Sequence, residues 1–589
     1  MDFVLLPRGI LMFFITLVAY LIRGVQAAVN FEACCAQVPV SDDIRPFQWD
    51  SCHSAYNSSE KDPLKMYSVP IITTYEWCRR NCERSGDFQV SDTSQWLTPL
   101  AAWIIPASAL LLLLPISEHL KDHKQLWGRT RKEKLMAHYI HNWLGPVLQY
   151  LHILGDPASA FNGSLAQMVA DWNLCMSMHR PNNGKREKEL ILTVILTEQA
   201  DFFCSPTRNA LELMAGSSRA REYSKTACRM IWSARKKFNT AVVLPVALYI
   251  GVAASVFYDA YQKLGDNGTS HSLAYGTWYN WVLLLSIFSN CFASHSNLDA
   301  VRSGMELIVR GVIENHSPKE FEDLGWDKQT AQTCSESYNI ATESLMVFPR
   351  MHPPMNPNPR ALFGGSLECR GAPLYKRYWN SWYWVRWLHK NGVDISRPKE
   401  GIFSYDIFWV DWASRNVNPW ANYLAGQVLS WLFVLYSCTC AAILSYTTPK
   451  VGLGCRSMNH ILYASVSLLN AVVRVLKDWL KETEHRRSYC FVTTVYHFLV
   501  WLNSVVILMG GSMLQIAGIF NNCYCKAGIL NRGPDSWIPL SPNSFAHQYW
   551  AKKVWLRVAY GAYGGIAMIG FVVLAFRLYI ACVVRKGLH

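Results

Sequence analysis

Few side chains in this 589-residue chain are spaced for chemistry. His138, His141 and His152 fall within about 60° of one another on a helical projection, which would offer three imidazoles on one face. Membrane di-iron centres use several denser histidine boxes, and Pro146 interrupts this helix. Interfacial histidines are the plainer reading. Cys78 and Cys82 stand one helical turn apart, but no second Cys or His pair follows at a zinc-site spacing. His497 lies inside an apolar run, where an ionisable group is a functional candidate by default. No carboxylate shares that run, so a hydrogen bond between helices accounts for it more simply. Arg474 and Asp259 sit near the ends of apolar runs, where a charged group reaches the interface. The runs otherwise hold almost no charge, which speaks against an ion-coupled transporter. The chain has no Walker loop, G-x-S-x-G elbow or H-E-x-x-H motif. No catalytic residue, metal site or cofactor follows from the sequence.

The elements that would position these residues are membrane spans. Leu97–Ile116 runs through twenty residues without a charge, and such a helix is roughly 30 Å long, enough to cross a bilayer core. The chain is 51% hydrophobic and 17% charged, where a soluble chain carries about 25% charged residues, so a multi-pass membrane protein is expected. Its net charge of +14 is concentrated in two stretches, +4 in Lys121–Lys134 and +6 in Arg219–Lys237, each beside an apolar run. Topology and anionic headgroups explain that placement better than a nucleic-acid partner does. Residues 1–27 read as a signal peptide, with Arg8, the apolar run Ile10–Ile22 and the small-residue site Val25-Gln26-Ala27.

Residues 28–96 then form a small extracytoplasmic module with Cys34, Cys35, Cys52, Cys78 and Cys82, suited to disulfides in an oxidising compartment. Asn57 stands in a glycosylation sequon there, and Asn267 in another on the same side of the membrane. Residues 117–240 are expected to form a cytoplasmic helical lobe, so the sequons at Asn162 and Asn315 should stay bare. Within it, Arg219–Lys237 is either a helix lying on anionic headgroups or a solvated charge run. Residues 241–293 supply the second and third spans. Residues 294–421 form a second cytoplasmic lobe, in which Leu374–Lys390 interleaves aromatic and basic residues, a pattern suited to the headgroup zone more than to nucleic acid.

The carboxyl-terminal bundle, residues 422–584, contains three or four spans before the tail 585–589. Ile461–Leu476 is the weak one because it is short and holds Arg474. With it the chain crosses seven times, and Cys455, Cys523 and Cys525 share a compartment with the five module cysteines. Gly561-x-x-x-Gly565 in the last span is a helix-packing pattern.

Tyr75-Glu76-Trp77-Cys78-x-x-x-Cys82, Trp96-x-x-Pro99-Leu100-x-x-Trp103-Ile104-x-Pro106, Asn459-His460-x-Leu462-Tyr463-Ala464 and Asn521-Asn522-Cys523-Tyr524-Cys525 are the most distinctive segments. Together they resemble a broad group of uncharacterised multi-pass membrane proteins of filamentous fungi. The resemblance implies topology and carries no activity or cofactor. The expected fold is all-α: a bundle of about seven spans, a small disulfide-rich outer module and helical cytoplasmic lobes. The expected function is a non-enzymatic sensor, scaffold or accessory protein in the plasma membrane or an endomembrane. A transporter or channel using His497, and a membrane enzyme using the histidine face, are the alternatives.

Overall fold

In the computed structural model the described residues are 29, 31, 34, 72–82, 100–114, 146–178, 192, 218–234, 242–262, 267–293, 303, 304, 307, 419–447, 453–482, 486–527, 537–539 and 551–588. They are almost entirely helical. A two-stranded antiparallel ladder joins β1 (Ile72–Thr74) to β2 (Trp537–Pro539), with Thr73 opposite Ile538. Helix α1 (Tyr75–Asn81) follows β1 directly; the Thr74 hydroxyl caps it by accepting from the Trp77 amide at 3.3 Å.

Helix α2 comprises Leu100–Ile104 and Ile105–Leu112, α3 spans 146–155, and α4 is Pro157–Met178. Helix α5 is Ser218–Ala234, α6 is Leu244–Gln262, and α7 is Asn267–Phe288 continued by Ser289–Ala293. The carboxyl-terminal part contains α8 (Pro419–Tyr446), α9 (Cys455–Glu482) and α10, built from Arg486–Trp501, Leu502–Gly510 and Gly511–Ile516. Short α11 (Cys523–Ala527) and then α12, Ala551–Trp555 continued by Leu556–Leu588, complete it.

Helix α7 is the hub. Every residue from Ser272 to Phe292 is buried, as expected of a helix that is apolar on most sides and must be covered all round. Its neighbours are fixed by particular contacts. The Trp103 indole of α2 donates to Ser272 Oγ at 2.9 Å, and Gly276 leaves that ring its space; a side chain at 276 would meet it. Tyr249 of α6 donates to Asn280 Oδ1 at 3.1 Å, and Tyr463 of α9 packs edge-on against Trp278. Gly570 lets α12 approach Ile287.

Among the described residues, four helical stretches are long and apolar enough to cross a membrane: Tyr423–Tyr446, Cys455–Leu480, Arg487–Ile516 and Lys553–Leu588. Leu100–Leu112 and Val246–Tyr258 are shorter apolar helices. Helix α7 lies where the third span was expected, but Thr277, Asn280, Ser286 and Asn290 make it more polar than those four. Ile461–Leu476, weak as a sequence signal, is the middle of one uninterrupted helix, α9.

Residues 146–178, part of the stretch 117–240 expected to form a cytoplasmic helical lobe, are helical. Helices α3 and α4 pack into the same bundle. Phe161 meets Phe288 of α7 and Phe433 of α8, Ser164 bonds Ser289 at 3.3 Å, and Trp172 lies against Phe576 and Tyr579 of α12. The segment looked like lobe because its polar residues break up its apolar runs. Those polar residues are buried against polar partners on the neighbouring helices. The expected lobe at 294–421, with Leu374–Lys390, falls almost wholly outside the described residues, and the signal segment 1–27 does so entirely.

Candidate polar site around a broken helix

The helix formed by 146–178 breaks at Asp156, inside the bundle. Locally the break is written as Gly155-Asp156-Pro157-Ala158-Ser159. Proline at the first helical position needs no amide partner, and an Asp before it caps the next helix. Asp156 Oδ1 accepts from the Ser159 amide at 3.2 Å and Oδ2 from the Ser159 hydroxyl at 2.5 Å.

A helix end in an apolar interior leaves carbonyls that must find donors. Here side chains from α9 and α10 provide them. Tyr463 donates to the Leu154 carbonyl at 2.7 Å, and Asn470 and Asn503 both donate to the Gly155 carbonyl, at 2.8 and 2.9 Å. Asn503 also reaches Ser467 Oγ at 2.9 Å. Gly155 is required by close approach, since a Cβ there would run into the Val500 carbonyl. The Oδ1 atoms of Asn470 and Asn503 are buried without a hydrogen-bond partner.

Several charged groups of the bundle gather beside the break. Tyr496 OH donates to Asp156 Oδ2 at 2.6 Å and lies 2.9 Å from His152 Nε2. A hydroxyl has one proton, so with that proton on Asp156 the imidazole must donate through Nε2. Arg474 Nη1 approaches the same hydroxyl at 3.5 Å, while its Nε pairs with Asp478 Oδ2 at 2.6 Å. Tyr423 donates to that Asp478 oxygen at 3.2 Å, and Lys477 Nζ stands 4.1 Å from the centre of the Tyr496 ring. A second arm runs from Ser159 through Gln427 to Asn162: Gln427 Nε2 donates to Ser159 Oγ at 3.0 Å, and Asn162 Nδ2 to Gln427 Oε1 at 2.8 Å. Arg474 is 3% exposed and Tyr496 is fully buried, so the network is sealed in protein.

Two sequence readings change here. His497 does not stand apart from other ionisable residues: its ring lies 6.3 Å from that of His152 and 5.4 Å from that of Tyr496. Asp156, in the stretch 117–240, accepts from the hydroxyl of the adjacent Tyr496. Nor are the apolar helices nearly free of buried charge, because Arg474, Lys477 and Asp478 are all buried. The signals that reveal the site are Asp-Pro-x-Ser as a helix start and the recurrence of Asn, Gln and Ser at 427, 467, 470 and 503 inside apolar helices. Of the three-histidine face, only His152 lies among the described residues.

Cysteines named from the sequence are joined as Cys34–Cys82, Cys78–Cys523 and Cys455–Cys525; Cys35 and Cys52 lie outside the described residues. The sulfurs of Cys78, Cys82 and Cys523 lie within 4.8 Å of one another, and each belongs to one of these disulfides. Asn57 and Asn315 lie outside the described residues, and Asn267 is the first residue of α7. Asn162 is 3% exposed and hydrogen-bonded within the bundle, out of reach of a glycosylating enzyme in the folded chain. In α5, Ala227, Cys228 and Ile231 are buried in the main core while Arg229 is exposed and reaches the Leu588 carbonyl at 3.4 Å. Of the Gly561/Gly565 pair, Gly565 lies against Tyr436, and that tyrosine's hydroxyl donates to the Gly561 carbonyl at 2.6 Å.

Phe571 is 73% exposed and Phe491 71%, on the outside of a bundle whose interior holds fully buried Asn470 and Asn503. Apolar outside and polar inside is an arrangement compatible with an integral membrane protein, in which lipid covers the outward side chains. Compared with protein families, with curated proteins and with solved structures, the chain matches none.

Proposed function

We propose that the protein is a multi-pass membrane transporter or channel for a small polar or ionic solute, with the broken helix α3–α4 as its working part. The carrying observation is Asp156, a buried carboxylate capping a helix that starts inside the bundle, joined through one tyrosine hydroxyl to His152. Half-helix ends and ionisable groups at such depth are features of transport pathways. The unpartnered oxygens of Asn470 and Asn503 next to the break add acceptors that a cation or a water file would use.

The topology proposed with it has seven crossings, the amino-terminal module outside after removal of residues 1–27, glycans on Asn57 and Asn267, and α5 along anionic headgroups. It places the chain in the secretory pathway, at the plasma membrane or an endomembrane, and keeps the kinship with fungal membrane proteins. The disulfides support it, because Cys455 and Cys523 are both tied, directly or through α11, to the amino-terminal cysteines, and α9 and α10 lie between them as one outward and one return crossing.

Proton flux is the direct test. Full-length protein in pyranine-loaded liposomes, with valinomycin present, should dissipate an imposed pH gradient, and Asp156→Asn should slow this about tenfold or more, the scale of a lost proton-transfer group. Equal leak from wild type, variant and empty vesicles would overturn the reading. A sensor or scaffold is the second reading, favoured by one observation: Cys78–Cys523 clamps the amino-terminal segment to the bundle, which would transmit a binding event.

A further inference from the structure

We infer that the Cys455 end of α9 binds a small monovalent anion, held by Arg456, Asn459 and Gln515. This goes beyond the transport reading and does not depend on it. Arg456, Asn459 and His460 stand at i, i+3 and i+4, on one face of the first turns of α9. That face meets α10, where Asn459 lies against Gly511 and Gln515 is one turn further along. It also meets α7, where the His460 ring is edge-on to Trp278 at 4.5 Å.

Four side chains here keep buried polar atoms without partners: Arg456 Nε, Asn459 Nδ2, Gln515 Nε2 and both ring nitrogens of His460. Asn459 and Gln515 are each 8% exposed and His460 is fully buried. Three of the four offer only N–H donors at these atoms, so the missing group is an acceptor. The tyrosines of α7 are engaged with Ser512, Tyr275 donating to its carbonyl at 3.0 Å and the Tyr279 hydroxyl bonding its Oγ at 2.9 Å, and neither hydroxyl is within bonding distance of these four side chains' unpartnered atoms.

Charge gives the acceptor its sign. Arg456 is half-buried, its Nη2 donates to the Asn521 amide oxygen at 2.9 Å, and among the described residues no carboxylate pairs with it. The amino-terminal end of a helix adds partial positive charge. Water would satisfy the donors and leave the guanidinium unbalanced, whereas a halide or a small carboxylate does both. The partial exposure of Arg456 leaves the site an entrance.

Thermal unfolding of the full chain in lipid nanodiscs, at constant ionic strength, tests this. Chloride or acetate replaces a bulky sulfonate as the counter-ion. The melting temperature should rise saturably with at least one of the two, since a ligand that binds only the folded state stabilises it. A response to chloride alone marks a halide site, to acetate alone a carboxylate site. Arg456→Gln should raise the half-saturating concentration about tenfold or more, the effect of losing a charged hydrogen bond. Asn459→Asp supplies the negative charge from the chain itself and should abolish the response while leaving the protein folded. No saturable response to either anion, or an unchanged response in both variants, would overturn the site.

Discussion

Arg456 and Arg474 lie on the same helix, eighteen residues apart, which is five turns, so they occupy one stripe of α9 about 27 Å apart. Their surroundings differ. Arg474 is sealed in and has Asp478 one turn on, Tyr423 behind that carboxylate and the Tyr496 hydroxyl on its other side. Arg456 is partly open and has one neutral amide oxygen. In an apolar interior a guanidinium is tolerated when its charge is balanced within the chain. At a helix end it can wait for a partner from outside. The pair separates a charge that holds the bundle together from one arranged to receive something.

The comparison breaks most sharply at Asp478. Asp478→Ala strands Arg474 in the interior and should destabilise the protein by about 3–5 kcal/mol, read by thermal or denaturant unfolding in detergent. A cost near zero would mean that water reaches Arg474 and that the two arginines are alike. Gly155→Val should come next, at about 1–3 kcal/mol, because the new side chain must displace the Val500 backbone of α10. Tyr496→Phe keeps the packing and removes the hydroxyl shared by Asp156 and His152; about 1–2 kcal/mol is expected, with proton flux reduced as for Asp156→Asn. Arg456→Gln, measured without chloride or acetate, should cost about 1 kcal/mol or less, since only the bond to Asn521 is lost. Finally, Asn162→Gln should leave electrophoretic mobility unchanged, as the buried amide carries no glycan.

The long apolar helices were legible because outward apolar side chains impose a strong pattern: α8, α9, α10 and α12 fall where residues 422–584 are expected to supply three or four spans. What was hidden depends on partners distant in the chain. Asn162 reads as a bare sequon in a cytoplasmic lobe until Gln427, 265 positions later, supplies its acceptor. Nothing in the sequence marks Gly155 until Asn470 and Asn503 converge on its carbonyl. The cluster could not be assembled from sequence because Asp156 is 340 residues from Tyr496, whose hydroxyl donates to it. Hydropathy registers what a segment would do in lipid. It does not register polar residues whose needs are met by other polar residues inside a bundle.

Cys78–Cys523 spans 445 residues, and that separation sets a schedule for biosynthesis. At about 5–20 residues per second, the ribosome needs roughly 20–90 s after making Cys78 before its partner exists. During that interval Cys78 sits one helical turn from Cys82, whose own partner, Cys34, is already synthesised. The newborn chain therefore holds a thiol beside a sulfur pair that it could attack, and it must be kept from settling there until α9 and α10 have been delivered. The native bond is a record that α9 and α10 arrived.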